Sequence, residues 1–174
     1  MDFVSSEHPF IELSRKDMLK VKFSRSILPI IYNYLVPRIK EKWGLEKGVE
    51  VLKNFGKRTM KDILAYWMPK GKTIPKILQT TYKFIFFIDL HKIKEFKKEK
   101  PRRWIIYDTK CPLCWEGTEE PEIHFCIALA GAVEELLNTC HELGYKKFPK
   151  VTVETLTSKA RGDKLCSHEI KELL

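Results

Sequence analysis

The sequence contains no long hydrophobic run and no recognisable export signal. Its most apolar stretch runs from Phe84 to Leu90, far short of the roughly 20 residues that a membrane-spanning helix needs. Residues 1–17 lack the basic segment followed by an apolar segment that is typical of a secretory signal peptide. We therefore expect a cytoplasmic protein with no transmembrane segment.

Common catalytic motifs are absent as well. There is no phosphate-binding loop, no G-x-S-x-G elbow and no H-E-x-x-H zinc motif. The carboxylates Glu134 and Glu135 are adjacent and so point in different directions. Asp163 follows Gly162 in a predicted turn, where an aspartate commonly has a structural role. Whether the chain is an enzyme stays open, and we expect that it is not a stand-alone enzyme.

Basic side chains outnumber acidic ones, 32 to 23, for a formal charge of +9. A polyanion such as nucleic acid is one partner for such a surface. No nucleic-acid-binding motif accompanies the charge, and an abundance of both lysine and glutamate also produces a solvated surface of mixed sign. We therefore expect no nucleic-acid partner.

The length and the hydrophobic content predict one folded domain. The 174 residues are 44% hydrophobic, which is enough for one core, whereas a division into two would leave each half short of core. We assign residues 1–174 to a single domain. Its first part, residues 1–103, is mainly helical, and residues 104–174 contain a strand, a cysteine loop, a helix and a C-terminal hairpin.

Hydrophobic spacing predicts the elements of both halves. Apolar and polar residues alternate as in short strands within residues 1–23. Helical spacing predicts helices over residues 27–43, over residues 45–68, and from Thr73 onward. Pro37 is expected to kink the first helix or end it early, and Gly44 to stop it. The second half contains a predicted strand at 104–107, a helix at 123–143 and paired strands at 150–156 and 165–170.

Four of the five cysteines have a spacing that suits a metal ion. Cys111 and Cys114 form a C-x-x-C pair, which lets two thiolates share one ion, and Cys126 and Cys166 follow later in the chain. Four thiolates make a closed tetrahedral zinc site. We therefore predict that these four residues bind zinc. The alternative nitrogen ligands are His124 and His168.

Two other interpretations of the cysteines stay open. Cys126 and Cys140 lie fourteen residues apart in one predicted helix, so they project from nearly the same face and suit small buried hydrophobic residues equally well. Redox chemistry is the third interpretation. A thioredoxin-type motif should open a helix directly after a strand, whereas this loop continues through residues 115–117.

The cysteine motifs resemble those of the V4R (4-vinyl reductase) family. The resemblance rests on the sequence CPLCWEG at residues 111–117, on the pair His124-Phe125 that opens a helix, and on ARGDKLC at residues 160–166. It covers residues 27–172 approximately. A weaker similarity, to the L-2-amino-thiazoline-4-carboxylic acid hydrolase family, lies in the cysteine-bearing end.

The V4R resemblance implies a Bet3-like α+β fold, with about four helices packed on a small antiparallel sheet. Members bind small molecules or hydrocarbons, are often dimeric, and several carry structural zinc. The resemblance therefore implies a homodimeric module that binds an apolar ligand between the second helix, the third helix and the sheet. Each candidate lining residue also suits ordinary core packing. These candidates are Phe55, Met60, Tyr66, Trp67, Tyr82, Phe86 and Trp104.

The chain departs from the family pattern at two positions. Ser158 stands where many members have a cysteine, and Ile123 stands before the His-Phe pair, where cysteine is also common. Because serine is a poor zinc ligand, Glu154 or a histidine is the expected replacement.

Two alternative functions follow. One is an enzyme of the thiazoline-carboxylate hydrolase or tetrapyrrole type, with an open metal position or a reactive cysteine. The other is a structural partner subunit.

Overall fold

The structure is a computed structural model that describes Ser14 and residues 28–86, 88–90, 92–111, 113–114, 122–144 and 149–173, with the backbone alone for residues 28–33. The strands predicted within residues 1–23 lie outside the described residues, as do residues 115–117 of the cysteine motif. None of the described helices combines the length and the apolar character that crossing a membrane requires.

The first helix, α1, spans Leu28–Leu64 and is broken at Gly44, where φ is 71° and ψ is −177°. The predicted stop at Gly44 is confirmed as this break, because only glycine adopts such a φ without strain. Pro37 was expected to kink the helix or end it early, and the early end is not found, because α1 continues through Pro37. Proline removes one backbone hydrogen bond from the helix. The burial of the neighbouring Val36 and Ile39 offsets this loss. The second predicted helix ends at Leu64 rather than at residue 68.

Helix α2 spans Ile74–Thr81 and begins as predicted at Thr73. The Thr73 side chain accepts a hydrogen bond from the Lys76 amide at 3.4 Å, which satisfies one of the free N–H groups of the first turn. A π-helical turn, Tyr82–Phe86, follows directly. It places the Tyr82 side chain fully inside the core.

The remaining elements form a four-stranded sheet and one long helix. They are β1 at Lys92–Phe96, β2 at Arg103–Asp108, α3 at Cys126–Glu142, β3 at Val151–Thr157 and β4 at Cys166–Glu172. The sheet order is β1-β2-β4-β3, and every neighbouring pair is antiparallel. The predicted C-terminal hairpin is confirmed as β3 and β4. The α+β class is confirmed as well.

Among the described residues there are three α-helices, where the sequence predicted about four. The difference arises at Gly44, because the two predicted segments on either side of it form one broken helix. Helices α1 and α3 cross at very short range. A Cβ atom at Gly56 would overlap the carbonyl oxygen of Ala128, and one at Gly131 would overlap that of Lys53.

One face of the central strands β2 and β4 points into the core. In the register of the pair, Asp108 lies opposite Cys166, and Trp104 lies opposite Ile170. All four side chains are buried. Since side chains alternate between the two faces of a strand, the buried His168 lies on this inner face too. The inner face therefore carries polar groups as well as apolar ones.

Candidate metal centre

The structure brings four of the five cysteines together in one buried cluster, which we call the thiol cluster. All four sulfur atoms lie within 4.8 Å of one another. The Sγ of Cys126 is 3.8 Å from that of Cys111 and 3.5 Å from that of Cys166. The members of the cluster are Cys111, Cys114, Cys126 and Cys166.

Three separate parts of the fold supply these sulfurs. Cys111 and Cys114 follow the end of β2, Cys126 is the first residue of α3, and Cys166 is the first residue of β4. Asp108 at the end of β2 pairs with Cys166 in the sheet register. The pairing of β2 with β4 therefore brings the C-x-x-C loop to the start of β4, and α3 adds the remaining thiol.

The spacing of the sulfurs fits a tetrahedral ion. With metal–sulfur bonds of about 2.3 Å, neighbouring sulfurs of a regular tetrahedron are about 3.8 Å apart. The distances of 3.8 Å and 3.5 Å around Cys126 are close to that value. The four thiols are not joined in disulfides. The residues present thus fit a zinc ion, both in their chemistry and in their separation.

Hydrogen bonding among the thiols determines which of them ionise most readily. The pKa of Cys114 is lowered, first by its hydrogen bond with Cys111, and the pKa of Cys166 is lowered for the same first reason. The pKa of Cys111 is raised, first by Cys114, and that of Cys126 is raised, first by Cys111. Four thiolates this close repel one another, and a divalent cation relieves that repulsion by replacing the remaining protons.

The turn between β3 and β4 supplies polar groups to the cluster. The Ser158 hydroxyl donates to the Sγ of Cys126 at 3.4 Å and lies 3.4 Å from the Sγ of Cys114. The backbone N–H of Lys159 donates to the Sγ of Cys166 at 3.3 Å. Asp163 closes the turn by accepting the Ser158 N–H at 2.8 Å. These contacts hold the sulfurs from outside, as neighbours of metal ligands commonly do.

The fourth member of the cluster is Cys126, and the alternative ligands His124, His168 and Glu154 lie outside it. Glu154 is exposed, and its register partner is Glu169, not an inner-face residue. Cys140 is buried but also lies outside the cluster, and burial raises its pKa to about 11. It fits the alternative interpretation of a small buried hydrophobic residue.

His168 is completely buried and belongs to a short hydrogen-bonded chain. The Thr155 hydroxyl donates to the carbonyl oxygen of Cys126 at 3.0 Å and lies 3.2 Å from the Nδ1 of His168. Since the hydroxyl has one proton, it accepts from Nδ1–H, and the Nε2 of His168 carries a lone pair. Burial lowers the pKa of His168 to about 4, so the ring is neutral at neutral pH.

Two further polar groups are buried near the thiol cluster. The Tyr82 hydroxyl and the Oδ2 atom of Asp108 have no hydrogen-bond partner among the described residues. Burial is the first cause that raises the pKa of each. Asp108 and the thiols of Cys111, Cys126 and Cys166 raise the pKa of Tyr82 further. The Tyr82 hydroxyl therefore lies in the field of these groups.

The seven predicted lining residues are distributed over different environments. Met60, Tyr82 and Trp104 are buried in the core. Trp67 and Phe86 are half-buried. Phe55 is 44% exposed and Tyr66 is 93% exposed. The structure thus brings Met60, Tyr82 and Trp104 into the interior and leaves the Tyr66 side chain in solvent.

Sequence reasoning identified all four members of the thiol cluster but missed part of their surroundings. Asp108 and Thr155 were not singled out, and Ser158 was noted only as the replacement of a cysteine. A polar residue at the end of an apolar strand was a usable signal for Asp108. The contact between Thr155 and His168 joins two strands, and no local pattern indicates it.

Comparisons with known proteins give little further information. No family model matches the chain, and no curated protein matches it. Among solved structures, the chain is similar to the crystal structure of the phenol-responsive sensory domain of the transcription activator PoxR with phenol. The TM-score is 0.49 and the sequence identity is 13%, over 80% of this chain and 72% of that one.

Proposed function

We propose that the chain is a small-molecule-binding module of the V4R type in which the thiol cluster holds a structural zinc ion. The observation that carries the proposal is the cluster itself, whose four buried sulfurs lie within 4.8 Å of one another. Zinc is the ion that four cysteine thiolates most commonly bind in a structural site. The proposed ligand is an apolar small molecule. Each chain forms a single domain, and two chains form a homodimer in the cytoplasm.

Zinc in this cluster would join three parts of the fold. The loop after β2, the first turn of α3 and the start of β4 each contribute at least one thiolate. Because a preformed set of ligands is absent from an unfolded chain, the binding free energy of a structural zinc ion adds directly to the stability of the fold. The ion would therefore keep the C-x-x-C loop next to the hairpin.

The four-thiolate set favours a structural role over a catalytic one. A catalytic zinc ion keeps one coordination position for water or substrate, and four protein ligands fill a tetrahedral ion. The enzyme of the thiazoline-carboxylate hydrolase or tetrapyrrole type would need that open position. Ser158 touches two of the sulfurs rather than replacing one of them, so the ligand set is complete without it.

The interior supports the ligand-binding part of the proposal. Two of the predicted lining residues are buried: Trp104 lies on the inner face of β2, and Tyr82 lies in the core. The Tyr82 hydroxyl has no partner among the described residues. Ligand sites are mostly apolar and contain a few polar groups that orient the ligand, which is the composition found here.

An exposed aromatic group favours a second candidate, the structural partner subunit. Phe84 is 55% exposed and stacks on Trp67 with 4.3 Å between ring centroids. Tyr66, the neighbour of Trp67, is 93% exposed. Aromatic residues are enriched at protein interfaces. Native mass separates the candidates, because a partner subunit would be recovered with another chain and a homodimer would not.

The proposal is tested by measuring the metal content of protein purified without added metal. We expect about one zinc ion per chain. The variants Cys111→Ser and Cys166→Ser should lose the ion together with part of the stability. Cys140→Ser is the matched control, since it also replaces a buried thiol but lies outside the thiol cluster, and it should retain the ion.

Two results would contradict the zinc proposal. One is protein without bound metal whose five thiols all react freely after unfolding. The other is equal loss of metal from Cys140→Ser and Cys166→Ser, which would place the ion elsewhere in the chain. Native mass spectrometry of the same samples identifies the ion by its mass and gives the oligomeric state.

A further inference from the structure

The two edge strands of the sheet differ in how their outer backbone groups are paired. The order β1-β2-β4-β3 makes β1 and β3 the edges. At β3, Asn138 of α3 accepts the Val151 N–H at 2.9 Å and donates to the Val151 carbonyl oxygen at 3.0 Å. The Glu134 carboxylate, also in α3, accepts the Val153 N–H at 2.8 Å. A helix of the same domain therefore closes the edge at β3.

The edge at β1 has no such cover among the described residues. Alternate residues of an edge strand direct their N–H and C=O groups away from the sheet. The β1 backbone pairs with β2. Within the described part of the chain, its one other backbone hydrogen bond runs from the Glu99 N–H to the carbonyl oxygen of Phe96, at 3.4 Å. Such a row of free backbone groups is a template for one more strand.

The segment from the start of β1 to Arg103 is strongly basic. It contains seven basic and two acidic side chains. Three of the basic ones, Lys97, Arg102 and Arg103, form ion pairs. Both acidic side chains of the segment, Glu95 and Glu99, are already used in these pairs. The basic side chains that have no ion-pair partner among the described residues are Lys92, Lys94, Lys98 and Lys100.

The two faces of β1 specify the side chains of an added strand. Ile93 pairs in register with the inner-face Ile106 and is half-buried against the core. Lys92 and Lys94 therefore lie on the outer face, and both are exposed. A strand beside β1 would place every second side chain near these lysines and the intervening ones near Ile93. Acidic residues suit the first set, and apolar residues suit the second.

These features favour an acidic peptide over other partners. A second copy of β1 would bring lysine beside lysine, which destabilises a strand pair. A nucleic acid would match the charge but could not continue the backbone pairing of the sheet. An extended acidic peptide matches both, because its main chain bonds to the free edge and its charge is complementary.

We infer that the outer edge of β1 binds an extended acidic segment of a partner protein, which adds a fifth strand to the sheet. The backbone of that segment pairs with β1. Its acidic side chains lie near Lys92 and Lys94, and its apolar side chains pack near Ile93. This inference is independent of the proposed zinc and small-molecule binding, because β2 separates this edge from β4 and β3.

The test measures binding of a fluorescently labelled peptide by polarisation at about 0.15 M salt. The peptide alternates glutamate and valine over about seven residues, enough to cover the five residues of β1. Wild-type protein should bind it. The variant Lys92→Glu/Lys94→Glu should bind about tenfold more weakly, because two attractive contacts become repulsive. Hydrogen exchange of the outward β1 amides should slow in the wild-type complex, since they acquire partners.

Two controls separate strand addition from general attraction between opposite charges. Lys70→Glu/Lys72→Glu makes the same change in net charge at two exposed lysines between α1 and α2, and it should keep the wild-type affinity. A peptide with proline in place of valine has the same charge but lacks the alternate N–H groups that a strand needs. This second peptide should not bind.

Three results would overturn the inference. The first is that wild-type protein does not bind the glutamate-valine peptide. The second is equal weakening by the two double variants, which would show only a response to net charge. The third is equal binding of the proline peptide, which would mean that the β1 backbone has no part in binding. Each of these results would leave the proposed zinc site and small-molecule function unaffected.

Discussion

The carboxylate of Glu134 joins three elements of the fold, and its removal has a calculable cost. Glu134 lies in α3 and is 5% exposed. It accepts the backbone N–H of Val153 in β3 at 2.8 Å, and it pairs with the ammonium groups of Lys53, at 2.8 Å, and Lys57, both in α1. The same helix begins with Cys126, so this contact also fixes α3 relative to the hairpin that carries Cys166.

The substitution Glu134→Gln keeps the size of the side chain and removes its charge. A hydrogen bond to a charged group contributes about 1 kcal/mol more than a neutral one. Two ammonium contacts would therefore lose about 2 kcal/mol in total. The side chains of Lys53 and Lys57 are 28% and 34% exposed, and water weakens such pairs. We expect a loss of about 1–2 kcal/mol in the free energy of unfolding.

The pKa of Glu134 determines how this loss depends on pH. Burial alone would raise the pKa, but the contacts with Lys53, Lys57 and the Val153 N–H outweigh it and lower the pKa below its ordinary value of 4.5. A lowered carboxyl pKa stabilises the folded state above the unfolded-state value, and the stabilisation disappears as the pH falls through the folded-state value. The difference between wild type and Glu134→Gln should therefore be largest near neutral pH and shrink in acid.

Urea unfolding at neutral pH and at pH values below about 4.5 measures both effects. Glu135→Gln is the matched control, because it makes the same chemical change at the next residue and should alter stability by less than about 0.5 kcal/mol. The reasoning is refuted if the two variants unfold at the same urea concentration, or if the deficit of Glu134→Gln is as large in acid as at neutral pH.

Three further predictions concern the core and the thiol cluster. Gly56→Ala should destabilise the fold by more than about 2 kcal/mol, because its Cβ overlaps the Ala128 carbonyl; thermal unfolding checks this, and a neutral result would mean that the helices cross farther apart. Tyr82→Phe without ligand should be neutral or stabilising by about 1 kcal/mol, since it removes an unpaired buried hydroxyl group; a clear loss in urea unfolding would reveal a partner. Addition of a chelator should lower the melting temperature of wild type and of Cys140→Ser alike, and unchanged melting of both would show that no ion stabilises the fold.

Much of the fold was predictable from local patterns. The hairpin was predicted at 150–156 and 165–170 and is found at Val151–Thr157 and Cys166–Glu172. A helix stop was predicted at Gly44, and a break in α1 is found there. Alternation in a strand and glycine at a positive φ are properties of a few consecutive residues, so a sequence reports them directly.

Strand β1 was harder to predict, because its residues Lys92–Phe96 lie in a segment dominated by basic side chains. Its pairing with β2, which has the apolar pattern that β1 lacks, accounts for its extended conformation. The unpaired polar atoms of Tyr82 and His168 were equally beyond prediction, since both result from which elements meet in the core.

The cysteines separate what the sequence determined from what only the tertiary structure decided. The C-x-x-C spacing was enough to identify Cys111 and Cys114 as a pair that can share an ion. Helical periodicity could not choose between Cys126 and Cys140, because both project from nearly the same face. The rise of about 1.5 Å per residue separates them by about 21 Å along α3, so one ion cannot bind both. Only the antiparallel pairing of β2 with β4, at the end where α3 begins, places Cys126 among the sulfurs and leaves Cys140 in the apolar core.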